Sequence, residues 1–221
     1  MTERSRRPAL SAARVVASAM ALADAQGLEA LTIRRLADAL GAGPMSLYHY
    51  VASRDDLVDA MVEQVFAEIA VPDPDLDWRS AVRARCESMR TTLRRHPWAA
   101  PLMESRTSPG PQSLAHHEAV LATLRRGGLS WALTAHAYAV LDAFVYGFAF
   151  EESALPFEDG ADLTGLADQI MAGFPEGAYP TLAAFTREHV LRPGYSYGSS
   201  FGYGLDLILD GLQAALEREQ G

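Results

Sequence analysis

The chain has 221 residues, 49% of them hydrophobic and 21% charged, with one cysteine and a net charge of −9. A chain of this length can form one compact domain, or two small ones, around an apolar core. The lone cysteine excludes an internal disulfide and fits a reducing cytoplasm. The sequence contains no run of about 18 uncharged apolar residues, so no membrane span is predicted. The negative net charge argues against a protein that coats nucleic acid nonspecifically.

Positive charge is concentrated at the amino-terminal end. Residues 1–54 contain seven arginines against four carboxylates, which gives this segment a net charge of +3 and leaves −12 for the remainder. A basic head on an acidic body is typical of a protein that presents one end to phosphate groups.

The first predicted helix covers residues 11–26. Ser11 is suited to cap its N-terminus, Gly27 is suited to end it, and Leu10 can pack against Val15 across the first turn. The apolar residues of this helix are expected to support the two shorter helices that follow.

Two short helices joined by a tight turn are predicted in the next stretch, LTIRRLADALGAGPMSLYHYV. Thr32 can cap a helix over residues 32–40, and Gly41 can end that helix in the left-handed conformation. The spacing i, i+3, i+4, i+7 gives the helix one apolar face, made of Ile33, Leu36, Ala37 and Leu40.

Residues 44–50 are predicted to form the third helix, because proline is favoured at the first helical position. A helix of about two turns is unstable alone, so it must rest on its neighbours. A helical wheel places one group of side chains toward them: Pro44, Leu47 and Val51. The opposite side carries Met45, Ser46 and His49. This is the arrangement of a helix-turn-helix recognition helix.

The fourth predicted helix covers residues 53–70 and begins at a Ser53 N-cap. Its apolar face is broad enough to be buried on two sides. The sequence Val71-Pro72-Asp73-Pro74 then ends the helix and predicts a domain boundary. We therefore expect a head of residues 1–71 and a body of residues 75–221.

Every long segment of the body reads as helix, with no strand pattern. The predicted helices cover residues 78–95, 112–126, 130–152, 163–173, 181–191 and 201–219, separated by loops at 106–111, 156–160 and 192–200. Helix 130–152 is apolar around most of its circumference and needs partners on all sides. Gly204 and Gly211 are predicted to admit a closely packed helix, so helices 130–152 and 201–219 are expected to form a homodimer interface.

The segment SLYHYVASRDDLVDAM, at its spacing after LTIRRLADALG, resembles the DNA-binding domain of TetR-family transcriptional repressors over residues 10–65. The motifs RRHPW, near Arg95, and FGYGLDLILDG, near the carboxyl end, resemble the helical C-terminal domain of that family. The resemblance implies an all-α protein with an N-terminal helix-turn-helix domain and a C-terminal ligand-binding and dimerisation domain. It further implies a cytoplasmic homodimer that binds double-stranded operator DNA and a small-molecule effector, without a cofactor or a metal.

The same resemblance assigns a set of head residues to DNA. Tyr48 and Arg54 match positions that contact phosphate, while Thr32 and Arg34 match positions that meet DNA at the groove edge. The hydroxyl of Tyr50 flanks the recognition helix. The residues expected to face the bases are Pro44, Met45, Ser46 and His49.

Apolar and aromatic residues of the body are candidates for an effector cavity, although such side chains at helical spacing more often form plain core. The candidates are Trp98, Met103, His136, Phe144, Phe148, Met171 and Phe174. His136 is expected to be either a hydrogen-bonded core residue or a polar contact to a ligand. His116 and His117 point about 100° apart on a helix, so we expect them on the solvated surface and not at a metal.

The sequence offers no converging acid, base or metal-binding set, so no catalytic activity is expected. The pattern GYSYG, from Gly194 to Gly198, matches a nucleophile elbow, but no strand precedes it and no histidine follows it. The prediction is a ligand-controlled repressor of transcription. A helical enzyme or small-molecule carrier with an incidental helix-turn-helix-like corner is the alternative, and a pure adaptor protein is a third hypothesis that the basic head disfavours.

Overall fold

A computed structural model describes residues 9–157, 163–175 and 177–221, and the regular structure in these ranges is helical, which confirms the predicted all-α fold. The helices are α1 Ala12–Gln26, α2 Ile33–Leu40, α3 Pro44–Leu47, α4 Arg54–Glu68, α5 Trp78–Arg95, α6 Ala100–Ser105, α7 Pro111–Arg126, α8 Trp131–Ala154, α9 Thr164–Ala172, α10 Pro180–Phe185 and α11 Ser199–Gln220. A 3-10 turn at Leu28–Ala30 and a π-helical turn at Thr186–Val190 are also present. Part of the predicted loop at 156–160 lies outside the described residues.

The first helices begin at hydroxyl N-caps, as predicted. Ser11 Oγ accepts a hydrogen bond from the backbone N–H of Arg14 at 3.3 Å, and Ser53 Oγ accepts one from Asp56 at 3.0 Å. Each bond satisfies one of the N–H groups that a helix start leaves unpaired. Gly41 ends α2 at a φ of 62°, a left-handed conformation that glycine adopts without steric cost.

Helices α1 to α4, which we call the head, share one apolar core. Helix α1 packs against both α2 and α4, and Leu47 holds the short α3 against α2. Because a single helical turn has no stability of its own, the burial of Leu47 fixes the position of α3. Other fully buried head residues are Val15, Ala19, Leu36, Ala37 and Leu57.

Helices α5 to α11 form the body, where α8 packs against both α5 and α11, and α7 packs against α5 and α8. The prediction that Gly204 admits a close helix is confirmed, because a Cβ there would lie 2.8 Å from the Phe144 ring. A Cβ at Gly211 would meet no other group of the described chain within 4 Å. Gly211 therefore admits no close helix among the described residues.

Helix α8 is long and apolar enough to cross a membrane, judged by length and composition alone. Its most apolar stretch is 44% buried inside the fold. Leu133, Leu141 and Val145 are among the residues that it buries. The apolar character of α8 is thus partly explained by its packing against α5, α7 and α11, as in the core helix of a globular protein.

Three helical assignments differ from the prediction, and one of them is predicted helix 181–191, which is the α-helix Pro180–Phe185 followed by the π-helical turn Thr186–Val190. The third helix ends at Leu47 and not at residue 50, because the N–H of Tyr50 bonds to the Leu47 carbonyl three residues back and the chain tightens into a turn. Helix α6 is absent from the prediction, since Pro97 and Pro101 read as helix breakers. Pro101 lies in the first turn of α6, where no intrahelical N–H bond is made.

Candidate nucleic-acid interface and buried polar cluster

The turn built by α3 and the three residues after it presents a continuous edge of exposed side chains, which we call the α3 turn. The exposed residues are Pro44, Met45, Ser46, Tyr48, His49 and Tyr50. Met45 is a large apolar residue that is nevertheless 76% exposed, whereas Leu47 faces the core. One buried anchor below an exposed edge is the surface that a helix entering a DNA groove requires.

Thr32 and Arg34 are exposed at the start of α2. The Thr32 hydroxyl accepts a hydrogen bond from the N–H of Arg35 at 3.2 Å and is therefore the N-cap of this helix. A hydroxyl that accepts in this way keeps its own proton for donation to a phosphate oxygen. The structure thus places both residues on the surface, where contact with DNA is sterically open.

Two side chains of the predicted DNA-binding set also hold the head together. Arg54 donates from Nε to the Leu31 carbonyl at 3.2 Å and from Nη2 to the Leu28 carbonyl at 3.3 Å. Tyr50 donates its hydroxyl proton to the Leu10 carbonyl at 3.1 Å. Replacing either residue is therefore expected to disturb the head as well as any contact with DNA.

Near the middle of helix α4, two carboxylates form hydrogen bonds with residues of the body. Glu63 accepts hydrogen bonds from the backbone N–H groups of Gln112, at 2.7 Å, and Ser113, at 3.1 Å, in the first turn of α7. One turn earlier on α4, Asp59 accepts a hydrogen bond from Arg106. A carboxylate of the head thus caps a body helix. Because the hydrogen bonds join α7 to α4, a displacement of α7 is transmitted to α4.

A second junction joins α1 and α4 to the segment that follows α5. The ring nitrogens of His96 lie 2.8 Å from Asp24 Oδ1 and 3.1 Å from Glu68 Oε2. Trp98 donates from Nε1 to the same Asp24 oxygen at 2.6 Å. Because both carboxylates belong to the head, this junction restrains the angle between the head and the carboxyl end of α5.

The body core contains three polar residues that we call the buried polar cluster: Arg85 on α5, His116 on α7 and Asp142 on α8. They are 1%, 2% and 7% exposed, respectively. Arg85 donates from Nη1 to Asp142 Oδ1 at 2.5 Å and from Nε to His116 Nε2 at 3.0 Å. The cluster therefore joins three body helices through one buried guanidinium.

Burial sets the protonation of this region. Burial and then the positive charge of Arg85 lower the pKa of His116 to about 3. Burial opposes the charge on Arg85 most strongly, but the Asp142 carboxylate, together with Cys86 and Tyr146, raises the pKa of the guanidinium overall. Burial raises the pKa of Tyr146 as well, with the carboxylates of Asp142 and Glu104 adding to the effect. The imidazole of His116 is therefore neutral at neutral pH, beside the ion pair of Arg85 with Asp142.

Several polar atoms of this region are buried without a hydrogen-bond partner among the described residues. They include Arg85 Nη2, His116 Nδ1, Asp142 Oδ2 and the hydroxyl of Tyr146. Native proteins pair the great majority of their buried polar groups with protein atoms or ordered water. A group of such atoms in one place is therefore a candidate site for a molecule taken up from solution.

The predicted ligand-binding residues lie in separate parts of the body. Phe144 and Phe148 each pack against Phe201 of α11, with ring centroids 5.1 Å apart. Trp98 belongs to the junction with the head. Met103 borders a narrow cleft that residues of α4 and of the loop before α7 also line.

The remaining ligand candidates are Met171, Phe174 and His136. Met171 lines an apolar cavity of about 130 Å³ between α9 and the π-helical turn. Phe174 packs against Tyr179, with ring centroids 5.3 Å apart. His136 is exposed on α8, so the alternative that it is a hydrogen-bonded core residue is wrong. The structure does not bring the candidates together in one cavity within the part of the chain that it describes.

The prediction that His116 lies on the solvated surface is also wrong. Ser113 and Val120, three residues before it and four after it, are buried on the same face of α7. That face packs against α4 and α5, and it carries His116 with it. A helical wheel of α7 places His116 on this buried face, whereas the two adjacent histidines taken alone do not indicate which of them is buried.

Sequence reasoning missed Arg85 and Asp142, although each carries a signal. Arg85 shares a helical face with Val82 and Met89, which are both buried. Asp142 is the one charged residue of the sequence between Trp131 and Phe150. A charge on an apolar face is rarely buried without a partner, so two such residues predict a pair.

Two family models match the chain. One, described as bacterial regulatory proteins of the tetR family, matches residues 15–61, and the other, described as a tetracyclin repressor-like C-terminal domain, matches residues 71–216. The chain belongs to the TetR family of bacterial regulatory proteins. The α3 turn lies inside the first match and the buried polar cluster inside the second, so this TetR-family chain is a DNA-binding transcriptional regulator.

Other TetR-family proteins align over nearly the whole chain. The HTH-type transcriptional repressor DrrR1 of Streptomyces coeruleorubidus is 34% identical over 226 residues, which cover 97% of this chain and 82% of DrrR1. The crystal structure of apo ActR from Streptomyces coelicolor shares 30% identity, with a TM-score of 0.75 over 97% of this chain and 100% of ActR. ActR in complex with actinorhodin shares 31% identity, with a TM-score of 0.72 over 95% of this chain and 99% of that one. The fold is therefore that of a TetR regulator, with an N-terminal helix-turn-helix domain and a helical C-terminal domain.

Proposed function

We propose that this TetR-family regulator is a repressor that leaves its operator when a small molecule binds inside the body. The observation that carries the proposal is the dual position of α4. Its residues Leu57 and Met61 lie in the head core, while its Phe66 ring packs 5.7 Å from the ring of His116 in the buried polar cluster. One helix therefore contacts both candidate sites. In this proposal the protein acts in the cytoplasm and performs no catalysis.

The head reads DNA through the α3 turn, which enters the major groove. Ser46 and His49 face base edges, where they select sequence. Tyr48, Arg34 and Arg54 contact phosphates, where they fix the position of the head without reading sequence. Exposure of all five residues supports these roles.

The regulator works as a homodimer built on α8 and α11. Trp131 and Phe150 on α8 are 72% and 69% exposed, and Tyr203 on α11 is 71% exposed. Together with the open side of Gly211, they leave an uncovered apolar surface on two helices that pack against each other. A two-fold dimer would bury this surface and place two heads on a palindromic operator.

The effector binds at the buried polar cluster, because unpartnered polar atoms are buried there next to α4. Met103, in the cleft that Phe66 and Ser113 also line, remains a candidate for the apolar wall of this site. The DrrR1 relative is a repressor, and ActR has been crystallised with actinorhodin. Both findings support repression that a small molecule relieves.

The coupling follows from the bonds that α4 makes. A ligand that displaces His116 or α7 acts on Phe66 by contact and on Glu63 by hydrogen bonds. In a dimer, a small pivot of each α4 changes the distance between the two α3 turns. The two turns must match half-sites one helical repeat of DNA apart, so the pivot removes contacts on one side.

Selection of bound duplexes from random DNA with the purified full-length protein tests the function. We expect a palindromic consensus, because two identical heads read two identical half-sites. The double variant Ser46→Ala/His49→Ala, selected in parallel, should lose or change the consensus within each half-site. A wild-type selection that returns no consensus would refute sequence-specific repression.

A further inference from the structure

His96 ends α5, and its ring points toward the head. A residue before proline is kept out of the helical conformation, so α5 ends at His96, with φ −126° and ψ 64°, just before Pro97. The backbone N–H of His96 still bonds to the Thr92 carbonyl at 3.0 Å. Its side chain is only 8% exposed. The end of a long helix therefore fixes the position of this imidazole.

Both ring nitrogens of His96 face carboxylate oxygens of the head. Nδ1 lies 2.8 Å from Asp24 Oδ1, in the last turn of α1, and Nε2 lies 3.1 Å from Glu68 Oε2, at the last residue of α4. Within the described part of the chain, the groove beside the ring is otherwise lined by Gln64 and by apolar residues of α1 and α4. The imidazole thus bridges the carboxyl ends of two head helices.

The two forms of the ring complete different numbers of these contacts. An ionised carboxylate accepts hydrogen bonds and donates none. A neutral imidazole has one N–H and one lone pair, so it donates to Asp24 or to Glu68 but not to both. An imidazolium has two N–H groups and donates to both, with its positive charge between two negative ones. Only the protonated ring of His96 completes both contacts.

Two further side chains bond to the same carboxylates. Arg95 Nη2 lies 3.1 Å from Glu68 Oε2, and Trp98 Nε1 lies 2.6 Å from Asp24 Oδ1. A guanidinium and an indole N–H are donors only, so both side chains use the carboxylates as acceptors. Neither one gives a hydrogen to the lone pair of a neutral His96. The proton that changes this junction is therefore the proton on His96.

We infer that His96 is a positioning residue for DNA binding: its protonated ring bonds to both α1 and α4, and its neutral ring bonds to only one of them. The inference rests on the proposed function for the α3 turn as the DNA reader and for the homodimer. It goes beyond that function by adding a control of operator binding through pH.

The bridge determines how freely the head moves against the body. An operator holds the two heads of a dimer at a fixed separation. A head that is already bonded to the body through both helices loses little freedom on binding, whereas a head with one contact fewer must be ordered by the operator. Operator affinity is therefore highest when His96 is protonated, and it falls as the pH rises through the titration of the ring.

The test is a pH profile of operator binding by the full-length protein, measured by fluorescence anisotropy at constant ionic strength. The operator is the one selected for the wild type. The pH range is set by NMR of the His96 ring, whose signals are those missing from His96→Gln. We expect about fivefold weaker binding once the ring is neutral, which is less than the loss of a whole charge-assisted bond because the contact of Trp98 with Asp24 remains.

His96→Gln imitates the neutral ring. A glutamine amide also offers a donor on one side and an acceptor on the other, so it donates to only one of the two carboxylates. We expect this variant to bind the operator weakly over the whole range, with the affinity of the wild type at high pH. Any remaining pH dependence comes from other groups, such as His49 of the α3 turn. The matched control His136→Gln, at an exposed position, should keep the wild-type profile.

Glu68→Gln distinguishes a bridge that depends on charge from a role in folding alone. Its amide N–H donates to the lone pair of a neutral His96, and its amide oxygen accepts from a protonated one, so this contact survives in both forms. We expect Glu68→Gln to bind the operator more tightly than the wild type at high pH, with a flatter profile. A folding defect would weaken binding instead. Glu188→Gln, at an exposed ion pair with Arg192, should keep the wild-type profile. Glu68→Gln also decides the case in which His96→Gln does not fold.

Two outcomes overturn the inference while the proposed function stands. One is a pH profile of the selected operator that the wild type shares with Glu68→Gln and His96→Gln. The other is operator binding that strengthens as His96 loses its proton. A protein for which no operator can be selected counts against the proposed function itself, and the inference falls with it.

Discussion

The head and the body differ in where their polar side chains lie: among the described residues, the buried polar or charged side chains all belong to the body. In the head, Ser11, Thr32 and Ser53 each cap a helix, and Arg54 ties two backbone carbonyls together. In the body, three of the buried side-chain atoms without a partner among the described residues belong to the buried polar cluster of Arg85, His116 and Asp142. The comparison teaches that the head completes its side-chain hydrogen bonds near its surface, while the body keeps polar groups in its core that a further molecule can complete.

Removing the carboxylate of the buried polar cluster should have the largest effect. Asp142→Ala leaves the Arg85 guanidinium buried without its counter-charge, and breaking a buried pair in this way costs about 3–5 kcal/mol. We expect urea-induced unfolding to show a loss of this size. The exposed ion pair of Glu188 with Arg192 supplies the control, since Glu188→Ala should cost less than about 1 kcal/mol.

The double variant Arg85→Met/Asp142→Leu tests whether the loss of stability in Asp142→Ala comes from the unpaired charge of Arg85. Replacing a buried ion pair by apolar residues of similar volume is often neutral or stabilising. We therefore expect this protein to be much more stable than Asp142→Ala and to respond to no effector. Stability as low as that of Asp142→Ala would show that the pair is needed for the fold, and the contrast between head and body would fail.

Acid should destabilise the body through His116. The folded state holds the pKa of this residue at about 3, below the ordinary value of 6.5, so between these pH values the unfolded chain binds a proton that the folded chain does not. Stability is therefore retained above pH 6.5 and falls as the pH drops toward 3, by about 1.4 kcal/mol per pH unit from this group.

The measurement is the free energy of unfolding at pH 7 and at pH 4.5 for the wild type and for His116→Gln. Glutamine can still accept the Arg85 hydrogen bond but does not titrate, so the variant should lose less stability in acid. His136→Gln, at an exposed position, should behave as the wild type. Equal acid sensitivity of His116→Gln and the wild type would contradict the buried neutral imidazole.

The sequence predicts the head better than the body for a physical reason. Capping residues, Gly41 and the apolar spacing of α2 act over three or four residues, so a linear reading finds them. The buried polar cluster joins residues 31 and 57 positions apart, and its geometry exists only after three helices have packed. The local sequence signal of this cluster is a charged residue on an otherwise apolar helical face, as with Asp142 in α8.

The Glu63 cap should have an intermediate effect on stability. Glu63→Ala removes the acceptor for two N–H groups at the start of α7, and loss of a helix cap costs about 0.5–2 kcal/mol. The same variant should weaken the effect of the effector on operator binding. Glu87→Ala, at an exposed ion pair on α5, should change neither quantity. Unchanged release of DNA in Glu63→Ala would exclude this contact from the coupling.

The smallest expected effect is on the salt dependence of DNA binding. Arg34→Ala removes one proposed phosphate contact, so the slope of log affinity against log salt should fall in magnitude by about 0.9, similarly for all sequences. Fluorescence anisotropy of a labelled operator at several salt concentrations measures this slope. Arg192→Ala, in the body, should leave it unchanged, and an unaltered slope in Arg34→Ala would remove this residue from the interface.

Coupling between the two regions is measured most directly by calorimetry of one effector with free protein and with operator-bound protein. Since α4 contacts both sites, the effector and the operator should each weaken the binding of the other by the same factor, within about 5–150-fold. The account predicts this reduced affinity in the operator complex, with a smaller reduction in Glu63→Ala. Equal effector affinities for free and operator-bound protein would contradict ligand-controlled release.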